Sequence, residues 1–331
     1  MKKGLCAIGE ALIDFIPQEK GCRLKDVVYF QRVAGGAPAN VAGACAKLGG
    51  LSRMITQLGK DAFGDYIIES LEKAGIDTGY ISRTVDADTA LAFVSLAADG
   101  NRDFQFYRRN SADLMLSPKQ ISKEMLKDCG ILHFCSVSLV ESAMKHAHEK
   151  LIRYAHEEKL LVCFDPNLRF SLWNDKDALY QSVHEFMPYA DILKISDDEL
   201  SFITGKTSIE ESLEDLLKDQ TRLVIYTKGK EGVCAYTNTC KVEVFGLDVE
   251  CTDTTGAGDS FIGAFLYCLL RDEIQTLDVL TESQLYKYLN FANAYAAYTI
   301  TQAGALDAMA DAETFAKFRT EMKLSSDFDV K

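Results

Sequence analysis

Ile131-Leu132-His133-Phe134-Cys135-Ser136 and Leu160-Leu161-Val162-Cys163-Phe164 are two short apolar runs with a helical segment, Glu141–Glu158, between them. Runs this short and this continuously apolar, on either side of a helix, read as strands buried on both faces. Strand, helix and strand in that order imply a parallel pair, because the helix is the crossover that brings the chain back in the same direction. The alternation extends both ways: a helix near Gln120–Lys127 precedes it, and helix Asp175–Met187, strand Ile192–Ile195, helical turns to Lys218 and strand Arg222–Thr227 follow. A hairpin is expected at Val233–Phe245, and then helices over Gly256–Leu270, Gln284–Thr301 and Asp311–Met322.

Upstream, Leu5–Gly9 and Ser52–Leu58 read as strands, Val27–Phe30 has β character, and Val41–Leu48 and Asp65–Ala74 read as helices stopped by Gly49-Gly50 and Gly75. Ala90–Ala97 and Arg102–Arg108 break the pattern: they are two β runs joined by the turn signal Ala98-Asp99-Gly100-Asn101, with no helix between. The expected architecture is one α/β domain over 1–331, a mostly parallel sheet with helices on both faces. A small antiparallel β flap is contributed by segments 12–33 and 90–110.

The 331 residues carry a net charge of −13 and a pI of about 4.9, which gives no electrostatic reason to bind nucleic acid or an anionic membrane. The ten cysteines are scattered without a C-x-x-C or zinc spacing and read as small buried hydrophobes in a reducing cytoplasm. The apolar run after Met1-Lys2-Lys3 is cut at Glu10 and Asp14, too early for a signal peptide, and no stretch is apolar enough to span a bilayer.

The strongest chemical signal is Asp253-Thr254-Thr255-Gly256-Ala257-Gly258-Asp259-Ser260-Phe261, which opens an apolar helix. Glycines at a helix entrance leave N–H groups unshielded, and with the helix dipole they make an anion site. Asp259, just inside it, is able to take a proton from a hydroxyl while those N–H groups hold phosphoryl charge; the plainer alternative is a carboxylate that only complements the dipole. Three further strings lie at strand or helix ends. Ala34-Gly35-Gly36-Ala37-Pro38-Ala39-Asn40 allows close backbone approach and offers the Asn40 amide to hydroxyls, or is simply a loop-to-helix junction. Gly9–Asp14 and Asp165-Pro166-Asn167-Leu168-Arg169 each follow a strand, where open α/β sheets bind ligands, and put forward Asp14 and Arg169. Gly205-Lys206-Thr207 imitates a phosphate loop but has Leu200 where the earlier glycine is required.

Together these strings resemble the ribokinase family, the PfkB-type carbohydrate kinases, and within it the fructokinases, from Gly9 to about Gly304. The resemblance implies a ribokinase-like fold: a Rossmann-like core with a β-sheet lid. It implies transfer of the ATP γ-phosphoryl to a small ketose, D-fructose first, with Asp259 as general base and the N–H groups of Gly256, Ala257 and Gly258 as anion hole. Asp14, Gly35, Gly36 and Asn40 would hold the sugar, with Phe106 and Arg108 reaching it from the lid and Arg169 from the core. Lys194, Ser196, Thr227, Gly229, Gly232, Gly256, Gly258 and Asn293 would serve the nucleotide, Glu199 a water-bridged Mg2+, and Asp253 and Thr255 a monovalent cation such as K+. The family's Asn-x-x-Glu reads Ser196-Asp197-Asp198-Glu199 here, which weakens any role for position 196 at metal-bound water. The alternatives are a 2-keto-3-deoxygluconate kinase using Arg108 and Arg169 on a carboxylate, a ribokinase, or a non-catalytic sugar-binding regulator. The flap's unpaired strand edges offer a homodimer surface.

Overall fold

The strands, in chain order, are β1 (Gly4–Ile8), β2 (Leu12–Pro17), β3 (Phe30–Gly35), β4 (Ser52–Gly59), β5 (Ile81–Thr84), β6 (Leu91–Leu96), β7 (Arg102–Tyr107), β8 (Cys129–Cys135), β9 (Leu161–Asp165), β10 (Ile192–Ser196), β11 (Leu223–Thr227), β12 (Gly232–Tyr236) and β13 (Lys241–Phe245). The α-helices are α1 (Ala37–Lys47), α2 (Ala62–Lys73), α3 (Ala143–Glu157), α4 (Lys176–Phe186), α5 (Asp197–Thr204), α6 (Ile209–Leu216), α7 (Ala257–Arg271), α8 (Glu282–Ile300) and α9 (Ala312–Glu321). They come from a computed structural model that describes residues 3–19, 21–96, 102–173 and 175–324. The expected turn at Ala98-Asp99-Gly100-Asn101 lies outside the described residues.

The large sheet runs β13-β12-β11-β10-β9-β8-β1-β4-β5. Every pair from β11 to β5 is parallel, and only the β11–β12 and β12–β13 pairs are antiparallel. The sequence signature follows burial. β1 and β9 are buried at every position, whereas edge strand β13 exposes Lys241, Glu243 and Phe245 and buries Val242 and Val244. Alternate side chains of the central strands feed two cores. Leu5, Ala7, Leu161 and Cys163 pack with α1, α7 and α8 on one face, and Cys6, Ile8, Val162 and Phe164 pack with α3 and α4 on the other. Helix starts are set by short polar caps: the Asp61 side chain accepts from Gly64 N (2.8 Å) at α2, and Ser142 accepts from Lys145 N (3.3 Å) at α3.

The second sheet, β3-β2-β6-β7, is the expected flap, with one change. β2 pairs β6 in parallel, so the flap is mixed; its two outer pairs are antiparallel. Register puts Asp14, Ala92 and Phe106 abreast on one face, and Phe15, Phe93 and Tyr107 on the other, where Phe15 stacks on Phe93 at 4.7 Å.

One local expectation is corrected, and one strand had not been read from the sequence. Gln120–Lys127 is not an α-helix but two separate 3-10 turns, Pro118–Gln120 and Lys123–Leu126, because Ile121 between them is extended and buried. β5 has no fully buried residue, and so no apolar run to betray it. Among the described residues no helix is long and apolar enough to cross a membrane.

Candidate active site

The C-terminal ends of β1, β8, β9 and β10 and the N-termini of α1 and α7 converge on one side of the sheet. At Gly36 the chain turns with φ 109° into α1, and a Cβ there would lie 2.5 Å from the Glu10 carbonyl oxygen. That approach sets Asn40, one turn into α1 and only 4% exposed, against Asp259. Asn40 Nδ2 donates to Asp259 Oδ2 at 2.8 Å, and Asn167 Nδ2, from the loop after β9, donates to Oδ1 at 3.1 Å. Both carboxylate oxygens are thus held. Asn40 Oδ1 is buried and accepts no hydrogen bond among the described residues, which fits it to a hydroxyl of a bound molecule.

Asp259 lies in the first turn of α7 and is 8% exposed. Burial pushes its pKa up; the Asn40 hydrogen bond, the charges of Arg169 and Lys194 and the Asn167 hydrogen bond pull the other way. Gly256, at φ 73°, forms the helix start, and no side chain caps it. Of the three N–H groups expected to form an anion hole, that of Ala257 donates instead to the Thr254 carbonyl at 3.2 Å.

A cavity of about 480 Å³ opens above this carboxylate. Leu12, Asp14 and Phe106 of the small sheet form one wall, Gly36, Ala37 and Asn40 another, and Thr254, Thr255, Gly256 and Asp259 the floor. Glu10, Val137, Asn167, Arg169 and Asp198 complete it. Gly35 does not line the cavity but lies behind Asp14, whose carboxylate a Cβ at position 35 would strike.

Arg108 does not reach the cavity, contrary to expectation. It is 4% exposed, with Nε donating to Asp113 Oδ2 (2.7 Å), Nη1 to the Val137 carbonyl (2.6 Å) and Nη2 to Ser138 Oγ (2.8 Å). A buried guanidinium is retained only with such a full set of acceptors, and here they hold Arg108 out of the cavity lining. Glu199 is likewise turned away. Oε1 accepts from Leu168 N (2.7 Å) and Oε2 from Ser196 N (2.9 Å), so it ties the loops after β9 and β10 together. Its neighbour Asp198 is the carboxylate on the cavity wall.

A model of the family described as "pfkB family carbohydrate kinase" matches residues 2–312. The chain belongs to the pfkB family of carbohydrate kinases. Its relatives include Probable fructokinase-5 of Arabidopsis thaliana, 40% identical over 321 residues that cover 96% of this chain and 98% of that one. Among solved structures, the fructokinase from Xylella fastidiosa with bound ATP superposes with a TM-score of 0.87 at 32% identity, covering 98% of this chain and all (100%) of the other. A double mutant of the Vibrio cholerae O395 fructokinase, in a fructose-, ADP- and potassium-bound form, gives 0.84 at 30% identity, with 96% and 98% covered. This kinase therefore transfers phosphoryl groups to a sugar on a ribokinase-type fold.

Of the residues expected on the nucleotide side, Gly256 is in the cavity floor and the others lie outside the cavity lining. Lys194 on β10 is buried and ion-paired with Asp165 (3.1 Å), and its Nζ would lie 3.3 Å from a Cβ at Gly258. Burial alone would lower the Lys194 pKa; Asp165, Glu199 and Asp259 together raise it and keep the ammonium charged. Ser196 and Thr227 end β10 and β11. Gly229 and Gly232 bound the turn in which Lys228 N donates to Gly232 O (2.8 Å), and Asn293 Nδ2 donates to the Phe245 carbonyl (2.9 Å). Asp253 Oδ1 accepts from Thr255 N (2.8 Å) and Oγ1 (2.7 Å), and Oδ2 accepts from Gly304 N (3.0 Å). This ties the loop before α7 to the loop after α8.

Sequence reasoning missed Glu10, Asn167 and Asp198. Each stood inside a string already singled out, within four residues of the one put forward: Asp14, Arg169 and Glu199. The choice between neighbours depends on side-chain direction, which spacing alone does not supply.

Proposed function

We propose that this kinase is a fructokinase that converts D-fructose and ATP to fructose 6-phosphate and ADP. The observation that carries the mechanism is a buried carboxylate, Asp259, held at both oxygens at the uncapped start of α7 and open to a cavity. Asp259 takes the proton of the acceptor hydroxyl as that oxygen forms its bond to the γ-phosphorus, and the bond to ADP breaks. First-turn N–H groups of α7, at Gly256 and Gly258 beside Ala257, meet the charge on the transferred group. Asn40, Asp14, Phe106 and Arg169 hold the sugar, with Gly35 and Gly36 shaping the wall beneath it. Lys194, Ser196, Thr227, Gly229, Gly232 and Asn293 serve the nucleotide. The small sheet covers the sugar and keeps water from the phosphoryl group.

Fructose is preferred over a sugar acid because, among the described residues, Glu10, Asp14, Asp198 and Asp259 all line the cavity, against one cation, Arg169. With Arg108 turned away, the pair of arginines that would suit a carboxylate is not assembled. Mg2+, an oxygen-seeking ion, would be held by the nucleotide phosphates and by water on Asp198 or Glu199, and would neutralise charge on the phosphates. A K+ ion beside Asp253 and Thr255, a pairing of two copies through the small sheet's edge, and a cytoplasmic setting that keeps the ten thiols reduced belong to the same reading.

ADP release from MgATP, measured with fructose, ribose, glucose, 2-keto-3-deoxygluconate and no sugar, tests it. The expected result is fastest turnover with fructose. Fastest turnover with the sugar acid would overturn the substrate, and no sugar-dependent turnover by folded protein would overturn the enzyme. Potassium replaced by choline in the same assay tests the cation, and light scattering tests the dimer.

A further inference from the structure

The residue that failed to reach the cavity, Arg108, ends a chain of buried polar contacts that runs to the opposite wall. Arg108 directly follows β7, the strand that carries Phe106 into the cavity. Its Nη2 donates to Ser138 Oγ (2.8 Å), and Ser138 Oγ donates to Glu10 Oε2 (2.6 Å). Glu10 Oε1 accepts from Ala37 N (3.1 Å), the first residue of α1, and Asn40 on that helix donates to Asp259 (2.8 Å). Glu10 is 1% exposed, and two residues beyond it the chain enters β2, the other cavity-lining strand of the small sheet.

A carboxylate buried this deeply is costly, and burial does push the Glu10 pKa up against the pull of Arg108. Nothing in phosphoryl transfer needs it, because Asp259 is already supplied. What Glu10 does have is one oxygen on each wall.

We propose that Glu10, bridged to Arg108 through Ser138, is a positioning residue that fixes the sugar-covering sheet to α1, the helix whose Asn40 holds the catalytic base of α7. The cover over the sugar and the Asn40–Asp259 pair then keep one register. The inference rests on the proposed reading of Asp259 and the small sheet.

Ser138 is the link to cut, because it does not line the cavity and loses only one oxygen on mutation. In Ser138→Ala the sugar KM is expected to rise roughly tenfold, the worth of one hydrogen bond to a charged group. ADP release without sugar is expected to rise relative to sugar-dependent release, because a loosely seated cover admits water. Ser138→Thr, which keeps the hydroxyl, is expected to restore both. Should Ser138→Ala fail to fold, Arg108→Lys, unable to hold Asp113, Val137 and Ser138 at once, is expected to give the same two changes. A lowered melting temperature with KM and the sugar-free to sugar-dependent ratio both unchanged would overturn the proposal, as would failure of threonine to restore them. Wild-type protein in the same assay separates this from the parent reading: absence of sugar-dependent ADP release there overturns that reading first.

Discussion

Asn167→Gly is the substitution that most directly questions the Asp259 environment. Asn167 sits at φ 45°, a left-handed conformation that glycine adopts without strain, so the change removes the amide while the backbone is kept. Its Nδ2 donates to Asp259 Oδ1 at 3.1 Å, whereas the Asn40 bond to the other oxygen is shorter, at 2.8 Å. A hydrogen bond to an ionised group contributes about 1.5–3 kcal/mol. At about 1.4 kcal/mol per pKa unit, the longer of two such bonds corresponds to roughly one unit. The sign follows from the bond's preference for the ionised carboxylate: its loss raises a pKa that burial has already raised. The acid limb of kcat/KM, below which the base is protonated, is therefore expected to move up by about one unit in the variant. Initial rates of sugar-dependent ADP release from about pH 5 to about pH 9 would trace it. On the acid side the variant should be roughly tenfold slower than wild type, with little difference at the alkaline end. An unmoved limb in folded Asn167→Gly, or one that moves down, would refute the reasoning.

Asp259→Asn keeps the shape and loses the proton acceptor, so kcat is expected to fall roughly 10²–10⁴-fold, with sugar binding by calorimetry largely retained; wild-type turnover would remove Asp259 as the base. Gly35→Ala drives a methyl into the Asp14 carboxylate, and the sugar KM should rise at least roughly tenfold with the ATP KM unchanged, checked by steady-state kinetics. Asp61→Ala removes a cap that serves both Gly64 N and Thr89 N (2.8 Å each) and should cost about 1–2 kcal/mol in urea unfolding. Burial alone would raise the Asp61 pKa, but these N–H bonds lower it, so the stability it contributes is present above the ordinary carboxylate range. That contribution is lost as pH falls through the depressed folded value, and the wild-type advantage over Asp61→Ala should vanish in acid.

The large sheet was legible because its central strands are short, largely apolar runs and its helices carry short caps, both local features. β5 was not, since its partly exposed residues form no apolar run. The parallel β2–β6 pairing was not, because it joins segments separated by α1, α2 and three strands. At the site, the strings around Asp259 and Asn40 were legible from their glycines, which announce close backbone approach. The fates of Arg108 and Glu199 were not. Each is decided by acceptors or donors far along the chain, Val137 and Ser138 for Arg108 and Leu168 for Glu199.

The order of elements along the chain has a consequence for biosynthesis. Among the described residues all thirteen strands precede residue 246, while α7 and α8, which cover much of one face of the large sheet, begin at Ala257 and Glu282. A ribosome that delivers the chain from its N-terminus completes the strands while Leu5, Ala7, Ile131, Leu161, Ile192 and Leu223 still lack that cover. α1 and α2 shield only part of the face. The nascent protein thus carries this apolar face largely bare until α7 and α8 have been delivered, and until then chaperone capture is most useful and premature termination most prone to aggregation. Chains ending between residues 246 and 300 should be recovered mainly in the insoluble fraction or bound to chaperones.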